Sequence, residues 1–277
     1  MAKKHFEGTY YKCIANDGFS FALIQSVSSF SGPGFQLILE NGSHEILQPD
    51  ALRRVGDILH IEITQRNLFL SGTLAIKRKH PLSRPAMGPF RVFSMQCSHT
   101  VESMYHELWG EVNFNGTKHV FSPGRGYIEG DAGRSFPSQY FWYNAIGEDY
   151  GVTLAYATIP FGLIHFKGLL AFIMDGDREY RFCTYNGAKV VFVSKTQIVI
   201  AKGKYRLTAK WVPFEGHPLR APRDGKMERT IQETLQIRSS VELRKGNEVI
   251  FAKENCHSSV EMMWDEDILR DGVPFES

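Results

Sequence analysis

The chain has 277 residues, 43% of them hydrophobic, which is enough for two domains or one large one with a sizeable core. Its 32 Lys+Arg against 30 Asp+Glu leave a formal charge of +2 with no long basic block, which argues against nucleic acid as the main partner. Cys13, Cys97, Cys183 and Cys256 lie far apart with no CxxC pair, so zinc-ribbon spacing is absent and nothing suggests a disulfide framework. The start, MAKKHFEGTYYK, carries two lysines with no apolar stretch behind them. No signal peptide is expected, and a cytoplasmic location is the default.

The N-terminal third reads as strands. Phe6–Lys12 is extended and aromatic, and Asn16-Asp17-Gly18 is a hairpin-turn signal before the near-continuous apolar run Phe19–Val27. Phe35, Leu37 and Leu39 alternate along one face, and Asn41-Gly42 turns the chain again. Leu59, Ile61 and Ile63 alternate with His60, Glu62 and Thr64 as a half-buried strand, and Arg66-Asn67 leads into Leu68–Ile76. Only Asp50–Arg54, after Pro49, is expected as a short helical turn.

Lys77–Pro89 holds three prolines and four Lys/Arg in 13 positions and reads as a surface connection. Beyond it, His99, Glu102 and His106 invite a metal-site reading, but positions seven apart on a strand face opposite sides, and no HExxH or helical i,i+4 pair occurs. No metal is expected; at least one of the two histidines is expected as a hydrogen-bonded residue lining a cavity. Leu108, Gly110, Val112 and Phe114 alternate with polar neighbours, and Asn115-Gly116 turns into Thr117–Ser122.

The next stretch, Gly124–Asn144, packs four glycines, two carboxylates, two arginines and six aromatic residues into 21 positions. If residues 126–131 are extended, Tyr127, Glu129 and Asp131 share one face, with Gly126, Ile128 and Gly130 on the other. Burial and mutual repulsion both raise a carboxyl pKa, which makes a general acid; Arg134, just past the turn, would cancel that by pairing with either group. Plain ion pairs on a solvated rim are the competing reading. The glycines miss the GxGxxG spacing and open no helical pattern, so they mark bends and close backbone approaches rather than a nucleotide loop.

The run Tyr150–Phe166 has no Asp, Glu, Lys or Arg over 17 residues, short of the roughly 20 a membrane helix needs. Pro160 and Gly162 divide it, so two buried strands joined across Ile159–Gly162 are expected. Further strands are expected near Val152–Ala157, Gly168–Met174, Arg178–Thr184, Val190–Val193, Ile198–Ile200 and Tyr205–Trp211. After a loop over Gly216–Gly225, others are expected near Thr230–Ile237, Val241–Leu243 and Val249–Ala252, and a short helix near Trp264–Arg270. Many short strands and few helices give an all-β chain of barrels or sandwiches. No GxSxG occurs, so a serine-hydrolase elbow is excluded.

These residues also carry a family resemblance. His5–Lys12 resembles the FFEGWYYK opening of tocopherol cyclase-like proteins, and Gly126–Pro137 with Tyr140 and Trp142 resembles their GYIExxxGxSFPxxYxW signature. Ile159-Pro160-Phe161, Thr184–Lys189 and His217–Pro222 are similar to further blocks of the group, so the resemblance runs from residue 5 to about residue 260. It implies two lipocalin-like antiparallel β-barrels, here divided as 1–145 and 146–277, as in the related carotenoid hydratase and Diels–Alderase-type proteins. It further implies an apolar cavity and acid-catalysed ring closure or hydration of a prenylated or other hydrophobic substrate, without metal or cofactor. Glu129, Asp131 and Glu7 are the candidate acids. Tyr127 and Trp142 would stabilise positive charge through their ring faces, with Tyr10, Arg134, Tyr140, Asn144, His99 and His106 as further substrate-binding positions. Thr9 and Ala132 stand where the family pattern carries aromatic residues, which implies a reshaped pocket.

Two functions of different class follow. One is a cyclase-like or hydrating enzyme; the other is a non-catalytic binding protein for a lipid or small hydrophobic molecule. A transient membrane-surface contact through the basic loop Lys77–Arg84 is a third expectation, and nucleic acid is not an expected partner.

Overall fold

The computed structural model describes residues 5–93, 95–161 and 164–263. Regular structure in it is nearly all strand, as alternation and dense turn signals require, and the chain divides into two compact units. The first comprises residues 1–86, 97–136 and 217–230, and the second residues 87–96, 137–216 and 231–277. The division expected at 145/146 falls inside a strand, Tyr140–Ile146.

The first unit is built on Phe6–Ile14 (β1), Ser20–Ser28 (β2), Gly32–Leu39 (β3), Gly42–Ile46 (β4), Leu52–Val55 (β5), Ile58–Gln65 (β6), Leu68–Lys77 (β7), Cys97–Phe114 (β8) and Thr117–Gly133 (β9). They pair in the order β4-β3-β2-β1-β9-β8-β7-β6-β5, so the last strand returns to the first. The two edge strands, β4 and β5, are consecutive in sequence, and Gln65, at the end of the neighbouring β6, ties the end of β4 to that side of the sheet. Its side chain accepts from the Leu47 backbone at 3.0 Å and donates to the Glu45 carbonyl at 3.0 Å. Closure removes the free edges that an open antiparallel sheet would expose.

The second unit repeats this plan. Its sheet is formed by Tyr140–Ile146 (β10), Tyr150–Phe161 (β11), Ile164–Asp175 (β12), Arg178–Cys183 (β13), Lys189–Ser194 (β14), Gln197–Lys202 (β15), Tyr205–Trp211 (β16), His217–Arg223 (β17), Lys226–Lys245 (β18) and Glu248–Met263 (β19), of which β17 and the first five residues of β18 fall in the first unit. The order β13-β12-β11-β10-β19-β18-β16-β15-β14 is that of the first unit, strand for strand, with β17 added as a partner of β18. Here too the edge strands are consecutive, and the Ala188 N–H donates to the Cys183 carbonyl at 3.1 Å across the short connection between them. The strand β17 is held in the first unit by the buried side chain of Gln36. It donates to the Arg220 carbonyl at 2.9 Å and accepts from the Arg220 N–H at 2.6 Å.

Each unit has its own apolar core. Tyr11 and Cys13 of β1, Leu23 of β2 and Ile128 of β9 belong to the first, and Phe141, Tyr143 and Ala145 of β10 to the second, where Phe141 stacks on Trp211 at 5.0 Å. Strand alternation sends the intervening residues to the opposite face. On β1 and β9 these are Tyr10, Lys12, Tyr127 and Glu129, and all four are buried as well.

Several expectations change in detail. Asp50–Arg54 is not helical: Leu52–Val55 pairs with β6, which places Leu52 in the core and shows ladder and burial overriding the helix-start signal of Pro49. The two strands expected over 230–243 are one 20-residue strand, β18, because irregularities in its register with β19 near Ser239 and Leu243 interrupt the alternation without ending the pairing. The loop expected over 216–225 contains β17. The helix expected at 264–270 lies outside the described residues. Among the described residues, no helix is long and apolar enough to cross a membrane.

Candidate active site

Pairing of β8 with β9 brings together residues about thirty positions apart. His99 lies opposite Asp131, Val101 opposite Glu129, and Cys97 opposite Gly133. Across β1, Tyr10 lies opposite Glu129 and Lys12 opposite Tyr127. All of these point away from the apolar core of the first unit. Tyr127, Glu129 and Asp131 do share a face, and it is the buried face outside the barrel's own core.

The centre of the cluster is His99. Its Nδ1 lies 3.1 Å from Asp131 Oδ1 and its Nε2 lies 3.6 Å from Glu129 Oε2, so each ring nitrogen is directed at a different carboxylate. The Tyr127 hydroxyl donates a hydrogen bond to Glu129 Oε2. Cys97 Sγ stands 3.7 Å from Asp131 Oδ1. Burial works against a charge on His99, but the Glu129 charge, together with the charge and hydrogen bond of Asp131, outweighs it and lifts the imidazole to about 9. At neutral pH the ring is therefore an imidazolium bridging two acids. Burial first, and then the Asp131 charge, push the Cys97 thiol well above its ordinary range, so it is a neutral neighbour rather than a nucleophile.

From sequence, Glu129 and Asp131 are neighbouring candidate acids; in the structure the imidazole of His99 stands between them and a phenol donates to Glu129. As for a metal, ligand atoms of His99, Glu129 and Asp131 lie within 4.8 Å of one another, the one such group among the described residues. Each ring nitrogen faces a different carboxylate, and one nitrogen has an oxygen of each acid close enough that the three side chains could also hold a cation.

Other expected positions fall elsewhere. Glu7 is exposed, and its partner on β9 is Ala132, which places it on the face opposite Glu129. Arg134 is 60% exposed and lies 3.4 Å from Asp224, not against Glu129 or Asp131. His106 lies on the core side of the sheet, opposite Gly126. A Cβ on Gly126 would stand 2.1 Å from His106 Nε2, so this glycine of the signature is a seat for an imidazole. Burial depresses His106 to about 3, and among the described residues its Nδ1 meets no hydrogen-bond partner. Tyr140, Trp142 and Asn144 belong to the second unit, where they are buried on the face of β10 turned away from that unit's core. Asn144 there donates to the Val152 carbonyl at 3.3 Å. Tyr10 is buried beside Glu129 by register.

Reading the sequence alone left out Cys97 and Lys12 and did not pair His99 with the acids. The odd spacing of His99 and His106 did signal that they face opposite sides, but only the β8–β9 register says which of them meets the acids.

No protein-family model matches the chain, and no curated protein matches it. Solved structures do. CghA shares 8% identity at a TM-score of 0.59, covering 96% of this chain and 90% of its own, and CghA with Sch210972 gives 0.58. Kievitone hydratase from Nectria haematococca shares 8% identity at a TM-score of 0.55, covering 94% of this chain and 89% of its own. The likeness is one of fold. It extends over nearly the whole chain, in keeping with a pair of lipocalin-like barrels.

Proposed function

We propose that the protein is an acid–base enzyme that adds a hydroxyl across a polarised double bond of a small hydrophobic molecule. The hydroxyl is water in a hydration, or the substrate's own in a ring closure. The observation that carries this reading is the buried imidazolium of His99 set between Glu129 and Asp131, with Tyr127 donating to Glu129. Glu129, as carboxylate, takes the proton of the attacking hydroxyl. The oxygen–carbon bond forms, and His99 gives its proton to the carbon or carbonyl oxygen that gains electron density. The proton on Glu129 then returns to His99 across 3.6 Å, and the site is reset with no net consumption of acid. Asp131 holds the ring in place and keeps it charged, as a carboxylate behind a catalytic histidine does.

That the solved structures sharing the fold include a hydratase supports this class of reaction. An acid near 9 is too weak to protonate an isolated alkene, so the site suits a double bond conjugated to a carbonyl better than the prenyl tail of a tocopherol precursor. The test is liquid chromatography with mass spectrometry of a host metabolite extract incubated with the protein, with Glu129→Gln or with His99→Gln. A compound converted to its water adduct or to an isomer of equal mass by the wild type alone supports the proposal. A compound retained unchanged by all three proteins contradicts it and leaves a carrier.

A further inference from the structure

A glycine inside a strand marks a bulge, a bend, the close approach of another part of the chain, or the approach of a ligand. Several strand glycines of the first unit are of the third kind. A Cβ on Gly72 would stand 2.3 Å from the Glu111 carbonyl oxygen, one on Gly110 2.1 Å from that of Thr73, and one on Gly124 2.6 Å from that of Ile14, while Gly126 seats His106. Gly8 of β1 fits none of the first three. Its register with β2 and with β9 runs through without a shift, so it is neither bulge nor bend. Its φ is not among the positive ones, so the backbone does not require a glycine. A Cβ there would meet, among the described residues, Ser26 Cβ at 3.6 Å and the Gln25 carbonyl oxygen at 3.7 Å, both ordinary van der Waals contacts. The space above Gly8 is open, and Gly8 is only half-buried although it lies between the buried Phe6 and Tyr10.

This opening adjoins the His99 cluster. Alternation puts Phe6, Gly8 and Tyr10 on the face that carries Glu129, and Gly8 lies directly opposite Asp131. The Asp131 side chain is 24% exposed, against 11% for His99 and 7% for Glu129, so the cluster meets solvent on the side of Gly8. The contacts of Asp131 with His99 and Cys97 both use Oδ1, which among the described residues leaves Oδ2 to accept from an outside donor. One wall of the slot is braced: Phe136 meets Phe6 edge-on at 5.5 Å, and the Phe136 N–H donates to the Pro222 carbonyl at 3.2 Å, all within the first unit. Across from Asp131, the slot ends at Ser26, whose hydroxyl donates to the Gly34 carbonyl at 3.4 Å. The cation on this face of β1, Lys12, lies beyond Tyr10 and opposite Tyr127.

Residues two apart on a strand stand about 7 Å from each other on the same face. A group seated on Gly8 therefore has an aromatic side chain about 7 Å away on either side, within the range over which rings attract one another edge-on or offset. We infer that Gly8 sets the specificity of the candidate active site: a flat, conjugated part of the substrate enters over Gly8, between Phe6 and Tyr10, with a hydrogen-bond donor on its edge turned to Asp131 Oδ2. The inference rests on the proposed site and names the part of the molecule that it admits. A larger residue at position 8 closes the slot.

The test is titration of the isotope-labelled full chain with 2-naphthol and, separately, with its saturated analogue decahydro-2-naphthol, followed by nuclear magnetic resonance at the amides of Phe6, Gly8 and Tyr10. The wild type is expected to show saturable ring-current shifts with 2-naphthol, and to bind the saturated analogue roughly fivefold more weakly or worse. Gly8→Leu is expected to weaken 2-naphthol binding roughly tenfold or more. Gly8→Ala adds a methyl group that makes only ordinary contacts, so it is expected to keep the wild-type Tm and to weaken binding roughly threefold; it decides the matter if Gly8→Leu does not fold. Glu129→Gln, which stops the proposed proton transfer, is expected to keep 2-naphthol binding, so a failure of the chemistry and a failure of the slot are read separately. No saturable shift at these amides, or equal binding of the two compounds, overturns the inference. So does wild-type affinity in a folded Gly8→Leu, or in Gly8→Ala where Gly8→Leu does not fold.

Discussion

Replacing Glu129 with Gln tests the electrostatics of the candidate site without any substrate. His99 is held at about 9 against an ordinary value near 6.5, a difference of about 2.5 pKa units or roughly 3 kcal/mol favouring the charged ring. That preference is net of burial, which alone would pull the ring below its ordinary value, so the two carboxylates supply more than the whole of it. Glu129 supplies the largest single attraction, and Asp131 adds both its charge and a hydrogen bond. Removing the Glu129 charge leaves Asp131 alone against burial, and His99 is expected to fall well below 9. The assay is a pH titration of the His99 ring proton by nuclear magnetic resonance in both proteins. The same shift has a stability signature. The pKa of His99 is raised in the folded state, so its stabilising contribution is complete below about 6.5 and is lost as pH rises through about 9. Denaturant unfolding should therefore show the wild type losing up to roughly 3 kcal/mol between neutral pH and pH above 9 from this group, and Glu129→Gln losing much less. A wild-type His99 titrating near 6.5, or one still near 9 in the variant, would refute the reasoning.

Three further outcomes follow from the same geometry. Gly126→Ala puts a methyl group 2.1 Å from His106 Nε2, and urea unfolding should show a loss of about 1–3 kcal/mol. His106 is depressed to about 3, so its stabilising contribution is complete above about 6.5 and lost as pH falls toward 3; His106→Leu should flatten the stability profile over that acid range relative to the wild type. Gln65→Ala removes both side-chain bonds that tie the end of β4 to β6 and should cost roughly 1–2 kcal/mol in thermal unfolding, with faster amide exchange at Leu47.

Much of this architecture can be read from the chain. Alternation at Phe35–Leu39 and Leu59–Ile63 marked strands that the structure contains, and Asn115-Gly116 marked a real hairpin between β8 and β9. Alternation also placed Tyr127, Glu129 and Asp131 on one face. It does not say which face is the core, because both are buried here: Ile128 packs inward while Glu129, equally sheltered, lies on the other side. The bulges near Ser103 and Ser239 read as irregular sequence although the strands continue through them. The partner of Glu129 was the least legible feature. His99 meets it through a strand register set by the whole of β8 and β9, and an acid whose charge state depends on a neighbour thirty positions away cannot be assigned from its own surroundings in sequence. Glu7 and Arg134 show the converse: their chemistry suits a site, yet strand parity and exposure place them outside it.

The central claim is that Glu129 and His99 move protons onto and off a bound hydrophobic molecule. Its most direct test is to incubate a host metabolite extract with the protein in deuterium oxide and to seek, by mass spectrometry, compounds that acquire a deuterium on carbon. The account predicts at least one product so labelled by the wild type, and none formed by Glu129→Gln or His99→Gln. A labelled product formed equally well by both variants, or a bound molecule recovered from all three proteins without label or change of structure, would contradict it.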